Sequence, residues 1–135
     1  MNHEKRTSQY ILFFRGTNWD KDFSPAMIQE SMARLTQWID DLSDRGILKS
    51  AAPLVSEGKI VTGKKGSSVA DGPFAESKEA IGGYFLIEAD SYEDAIEITQ
   101  TCPTLDYGAV LELRPVAAIC PTMQRANEIL AQATA

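Results

Sequence analysis

Two short runs in this chain, Tyr10-Ile11-Leu12-Phe13-Phe14 and Tyr84-Phe85-Leu86-Ile87, are apolar at every position. Side chains alternate across a strand, so a strand without a polar position has two faces to cover. Helices packed on one side of a sheet cover only one of them. The chain therefore needs something for the other face as well, and that need constrains its fold and its assembly together.

The segments around these runs read as a regular succession. Ser24-Pro25 opens a helix, because serine can accept from the unpaired N–H groups and proline suits the first turn. Ile28, Met32, Leu35, Ile39 and Leu42 follow at helical spacing and predict one apolar stripe, with Trp38 at its flank. Gly46, after Arg45, is placed for a left-handed C-cap. Residues 47–55 read as extended, with a kink at Pro53. Residues 59–62 and 67–70 predict a hairpin across Gly63-Lys64-Lys65-Gly66. Asp90-Ser91-Tyr92-Glu93 resembles a capping box with Asp90 as the cap, and its helix should run to roughly Cys102, where Pro103 stops it. Tyr92, Ala95, Ile98 and Cys102 fall on its inner side. Residues 109–116 alternate, with Ala109, Leu111 and Leu113 on one face and Val110, Glu112 and Arg114 on the other. Residues 121–133 predict a last helix with Met123, Ala126 and Leu130 on its apolar side.

The order is β-α-β, a hairpin, then β-α-β. It predicts an α+β fold of the ferredoxin-like type: one antiparallel sheet with both helices on one face. The uncovered face would carry the outer apolar positions of both runs. At about 25 cal/mol per Å² such a surface favours association. A homodimer closed sheet to sheet, a dimeric α/β barrel, is the expected assembly.

Composition narrows the function classes. The 135 residues suit one domain, read here as residues 9–116, with a disordered N-terminus over residues 1–8 and a helical extension over residues 117–135. A net charge of −6 argues against nucleic acid as a partner. Lys59, Lys64 and Lys65 read as a solvated hairpin tip. No apolar run approaches the length of a membrane span, and residues 1–8 are polar, so no membrane association and a cytoplasmic location are expected. Cys102 and Cys120 form no C-x-x-C pair, which predicts neither a metal site nor a redox motif. No cofactor is expected.

Asp71-Gly72-Pro73-Phe74-Ala75-Glu76, with Lys78-Glu79 and Gly82-Gly83-Tyr84 behind it, resembles the signature of the DGPF domain proteins in the YCII-related family. Trp38, Leu42 and Gly46-Ile47-Leu48 extend the resemblance on one side. Asp94-Ala95-Ile96, Cys102-Pro103 and Glu112-Leu113-Arg114-Pro115-Val116 extend it on the other, over roughly residues 9–116. The resemblance implies the ferredoxin-like fold and the dimeric barrel. One branch of that family has a His–Asp pair in its cleft. The single histidine here is His3, ahead of the folded region, so that mechanism does not carry over. Some relatives are encoded beside, or fused to, sigma factors of the extracytoplasmic-function type, which implies a regulatory role as an alternative.

Several side chains have both a structural and a chemical reading. Asp71 suits the first position of a turn, or serves as a carboxylate at the barrel mouth that orients a ligand or acts as a general base. Glu76, with Lys78 and Glu79, is a solvated charged turn or part of the rim of the same pocket. Glu112 and Arg114 form an intersubunit ion pair, or Arg114 grips an anionic ligand bidentately with Arg15 beside it. Tyr84 and Trp19 stack on a planar ligand or fill core and interface. Gly82-Gly83 precedes a strand, so it is a bulge or a close chain approach and not a phosphate loop. With no histidine in the folded region, Ser-His-Asp and Cys-His arrangements are excluded. The expected function is binding of a small organic molecule, anionic or planar, in the dimer cleft, with proton transfer by Asp71 or Glu76 as the chemistry within reach. The alternative is a non-catalytic module that acts on a regulatory protein partner in sigma-factor-type transcription control.

Overall fold

The computed structural model describes residues 8–16, 20–73 and 80–133. The chain runs β1 (Ser8–Arg15), α1 (Pro25–Asp44), β2 (Leu48–Pro53), β3 (Lys59–Thr62), β4 (Ser68–Asp71), β5 (Ile81–Ala89), α2 (Tyr92–Gln100), β6 (Val110–Pro115) and α3 (Pro121–Ala133). Four strands form one antiparallel sheet in the order β2-β5-β1-β6, and β3 and β4 pair separately as a hairpin. The two fully apolar runs occupy the two central strands, where both edges are paired. This is the ferredoxin-like α+β arrangement.

Helix α1 starts where serine and proline place it: Ser24 Oγ accepts from Met27 N at 3.2 Å and Pro25 fills the first turn. It ends at Arg45, with Gly46 in the left-handed region at φ 70° and Ile47 N donating back to Leu42 O at 2.9 Å. Its inner row differs from the expected stripe. Ser31, Trp38 and Leu42 are buried and Leu35 and Ile39 pack against the core, but Ile28 and Met32 are each 40% exposed. The indole decides this rotation. Trp38 lies at the centre of the contact and not at its flank, and an aromatic of that size outweighs two half-exposed aliphatics. Burying Ser31 leaves no polar group unpaired, because its Oγ donates to Ile28 O at 3.0 Å.

Helix α2 is capped one residue later than expected. Ser91, not Asp90, is the cap; its Oγ accepts from Asp94 N at 3.1 Å. Glu93 and Asp94 then fall in the first turn, where negative charge complements the helix dipole. The helix ends at Gln100, and Pro103 begins a short 3₁₀ turn, Pro103–Tyr107.

Both helices cover one face of the sheet. Tyr10, Leu12, Phe85, Ile87 and Ala89 meet Trp38, Leu42, Ala95 and Cys102 in a single core, with Leu111 and Leu113 packed against it. Tyr92 is partly exposed but stacks on Tyr10, ring centroids 5.6 Å apart. The strand register puts Ile11, Phe13, Tyr84, Leu86, Glu112 and Arg114 together on the other face. Helix α3 buries no residue, and Met123, Ile129 and Leu130 are 64%, 66% and 63% exposed. Among the described residues no helix is long and apolar enough to cross a membrane.

Candidate functional site

The register gathers four of the six candidate residues on the open face of the sheet. Phe13 stands directly opposite Tyr84 on one side and Glu112 on the other. Glu112 is shared by two guanidinium groups: Arg15 Nη1 lies 3.5 Å from its Oε1 and Arg114 Nη1 lies 3.4 Å from its Oε2. The three charged side chains are all at least one-third exposed in the protomer, where each such pair contributes about 0–1 kcal/mol. The arrangement leaves a single carboxylate facing two positive groups, with apolar Ile11, Phe13 and Leu86 beside them.

Asp71 is elsewhere. It ends β4, stands opposite Lys59 of β3 and pairs with that residue's ammonium group. Both side chains are exposed, and neither belongs to the four-stranded sheet. The glycine after it has a steric cause. Gly72 N donates to Gly58 O at 2.7 Å, and a Cβ on Gly72 would stand 3.2 Å from the Gly58 carbonyl carbon. Glu76 lies outside the described residues, as do His3, Trp19, Lys78 and Glu79.

A recess that sequence reasoning missed lies on the helix side of the sheet. It has a volume of about 410 Å³ and opens at the edge strand β2. Leu35 and Ile39 of α1 line it from above, Phe14 and Phe85 from the sheet, and Ala51 and Leu54 from the edge. Gly83 makes this geometry possible. A Cβ there would stand 3.0 Å from Ala52 O and 3.4 Å from Pro53 Cα, so any larger residue would have to push β2 outwards by a few tenths of an ångström. Leu54 N donates to Gly82 O at 2.9 Å and holds the wall in place. The Gly82-Gly83 pair was the available signal: read as a close chain approach, it marks where the edge strand comes in.

Thr104 is the one residue with a polar side chain among the described residues that line the recess. It is 1% exposed, and its Oγ1 lies 3.1 Å from Cys102 Sγ. Burial pushes the Cys102 thiol up from its ordinary value, an effect partly offset by hydrogen bonds from Thr104. The turn that carries Thr104 is tied to α1 from outside. Arg34 Nη2 donates to Asp106 Oδ2 at 2.7 Å and Arg34 Nη1 to the Tyr107 hydroxyl at 3.3 Å, while that hydroxyl donates to Glu30 Oε1 at 2.7 Å. These bonds raise the Arg34 pKa above its already high ordinary value, Asp106 first. No ionisable side chain is among the described residues that line the recess.

A larger hollow of about 540 Å³ lies between the end of α1, the end of β5 and α2. Volume alone would favour it; chemistry does not. Glu88, Asp90, Asp94 and Glu97 line it against Arg45, and Arg45 pairs with Asp41 at 3.0 Å. Open, charged walls hold water, whereas small-molecule sites are mostly apolar with a few placed polar groups. Among the described residues no group of three or more His, Cys, Asp or Glu side chains is placed to hold a metal ion.

Fold and recess together define a ferredoxin-like α+β protein with an apolar pocket between its first helix and its sheet. The chain belongs to the YCII-related family, whose domain description, "YCII-related domain", matches residues 19–131. No curated protein matches it. Two of the solved structures that are similar to it follow. One is 5-chloro-2-hydroxyhydroquinone dehydrochlorinase from Burkholderia phenoliruptrix AC1100, in complex with 2,5-dihydroxybenzoquinone: 12% identity, 77% of this chain and 90% of that chain covered, TM-score 0.43. The other is the hydroxynitrile lyase from Passiflora edulis: 12% identity, 85% and 97% covered, TM-score 0.35.

Proposed function

We propose that the protein binds a small organic molecule in the recess between α1 and the sheet, and that it does so as a homodimer joined through the open sheet faces. The observation that carries the binding reading is the recess itself. Its volume falls in the range of ligand sites, and its described walls are almost wholly apolar. This moves the ligand from the sheet-to-sheet cleft expected from sequence to the opposite side of the sheet. Glu112 supports the move, because both nearby guanidinium groups already face its carboxylate. Asp71, held by Lys59 on the hairpin, fits a structural role better than that of a general base.

The homodimer rests on the apolar outer positions of β1 and β5. Ile11, Phe13, Tyr84 and Leu86 form a contiguous surface on central strands, and a second copy is the partner always present at matching concentration. In that interface the Arg15–Glu112–Arg114 group sits beside the apolar patch and gains strength as water is excluded.

A thermal-shift screen against small neutral and charged organic molecules tests the binding reading, with Ala51→Trp as control. Ala51 is exposed on the edge strand, so a large side chain there can fill the recess without entering the core. A ligand at 100 times its Kd should stabilise the protein by about 2.7 kcal/mol. The stabilisation should disappear in Ala51→Trp. Hits that survive the substitution unchanged would place binding elsewhere.

A further inference from the structure

The described residues around the recess differ in exposure from one end to the other. At its floor Gly83, Phe85 and Thr104 are buried and Phe14 is half-buried. At its mouth Ala51, Pro53 and Leu54 are exposed, Leu54 by 47%. Polarity is graded in the same sense. Phe14, Gly83 and Phe85 belong to β1 and β5, the central strands, which are paired on both edges. The one hydroxyl among the floor residues, on Thr104, is bonded to Cys102 Sγ at 3.1 Å. At the mouth, β2 is an edge strand of the sheet. Phe14 meets Phe85 edge to face at 5.0 Å, and Trp38 stacks on one face of Phe85. Phe14 is therefore the ring that an occupant can still touch.

We infer that the recess takes its ligand end-on, and that the ligand class is an aromatic molecule polar at one end only. This rests on the recess being the binding site. The apolar end enters first and meets the Phe14 ring, with Leu35 and Ile39 above it. An aromatic pair of this kind gains beyond its buried area. The polar end stays beside β2, where it keeps its water, so even a charge is tolerated there. A second polar group at the far end of the ring system would be carried to the floor. It would lose its hydration with no described side chain free to replace it.

The test titrates the full-length protein with naphthalene, 6-methyl-2-naphthoate and 2,6-naphthalenedicarboxylate, following ligand fluorescence. The last two have closely similar shapes and differ in the group at the far end. Naphthalene and 6-methyl-2-naphthoate should bind with similar affinity, and the dicarboxylate about tenfold or more weakly, the ratio expected for one polar group buried unpaired. Leu54→Lys puts an ammonium group at the mouth. It should tighten 6-methyl-2-naphthoate about two- to fivefold relative to naphthalene, a gain that high salt removes. Phe14→Leu keeps an apolar floor without the ring and should weaken naphthalene about threefold. Equal binding of the dicarboxylate, 6-methyl-2-naphthoate far weaker than naphthalene, or no gain in Leu54→Lys overturns the end-on placement, while loss of binding in Ala51→Trp keeps the recess. Unchanged naphthalene affinity in Phe14→Leu overturns the aromatic class. Failure of all three probes, or binding that survives Ala51→Trp unchanged, overturns the recess and the inference together.

Discussion

The indole of Trp38 lies flat against the ring of Phe85, centroids 5.7 Å apart and planes at 20°. Phe85 in turn meets Phe14, so three rings run from α1 into the wall of the recess. Trp38 Nε1–H donates to Thr101 Oγ1 at 2.8 Å and ties α1 to the end of α2. Trp38→Ala should cost about 3–5 kcal/mol of stability. Trp38→Phe, which keeps a ring and loses the donor, should cost about 1–2 kcal/mol. Urea unfolding measures both. Near-equal costs would mean that the stack contributes little.

Gly83→Ala should destabilise by about 1–3 kcal/mol, because the added Cβ meets backbone and not a side chain that can turn away. Pushing β2 outwards also changes the shape of the recess. Ligand affinity should therefore fall along with thermal stability. Full stability with unchanged affinity would mean that β2 yields freely.

The cap of α2 separates two neighbouring residues. Ser91→Ala should cost about 1 kcal/mol through the lost bond to Asp94 N. No loss of stability in urea unfolding would mean that Ser91 does not act as the cap.

The two cysteines should react at different rates and respond differently to pH. Cys120 is exposed, and its thiol is lowered from 9.0, chiefly by a hydrogen bond from the Met123 backbone, so iodoacetamide should label it in the native protein. Cys102 is buried and should be labelled only on unfolding. Its thiol is raised in the folded state above the ordinary 9.0, so between the two values the native protein holds a proton that the unfolded chain has lost. Stability present below pH 9 should fall as pH rises above it, by at most about 1.4 kcal/mol per unit. Cys102→Ala should lack that component. Identical alkaline slopes for the two proteins would contradict it.

Phe13→Glu tests the assembly. Phe13 lies between Tyr84 and Glu112 on the open face, so the substitution puts two carboxylates opposite each other on an apolar surface. Light scattering should show a dimer for the wild type and a monomer for the variant at micromolar concentration. A monomeric wild type would remove the sheet-to-sheet reading.

Much of this architecture is legible in the chain. The strands follow from their apolar or alternating runs, and the placing of Glu112 and Arg114 opposite Leu111 and Leu113 follows from strand period alone. Gly46 ends α1 where a left-handed residue is needed. The inner row of α1 is less accessible, because two overlapping apolar rows run through Leu35 and Leu42 and only the packing of Trp38 on Phe85 chooses between them. The cap of α2 is ambiguous because Asp90 and Ser91 both suit the position. The recess is harder still. Leu35, Ala51, Gly83 and Thr104 come from four segments, and nothing local to any of them records the gap between them. Asp71 draws attention through its motif, yet the register pairs it with Lys59 and not with the arginines.

The most direct measurement is a methyl-resolved NMR titration of the full-length protein with 2-naphthol. Binding in the recess predicts saturable shifts at Leu35, Ile39, Ala51 and Leu54, with Ile11 and Leu86 on the opposite face unchanged. Saturable shifts at Ile11 and Leu86 without those at Leu35 and Ile39 would return the site to the open face and contradict the recess as the binding site.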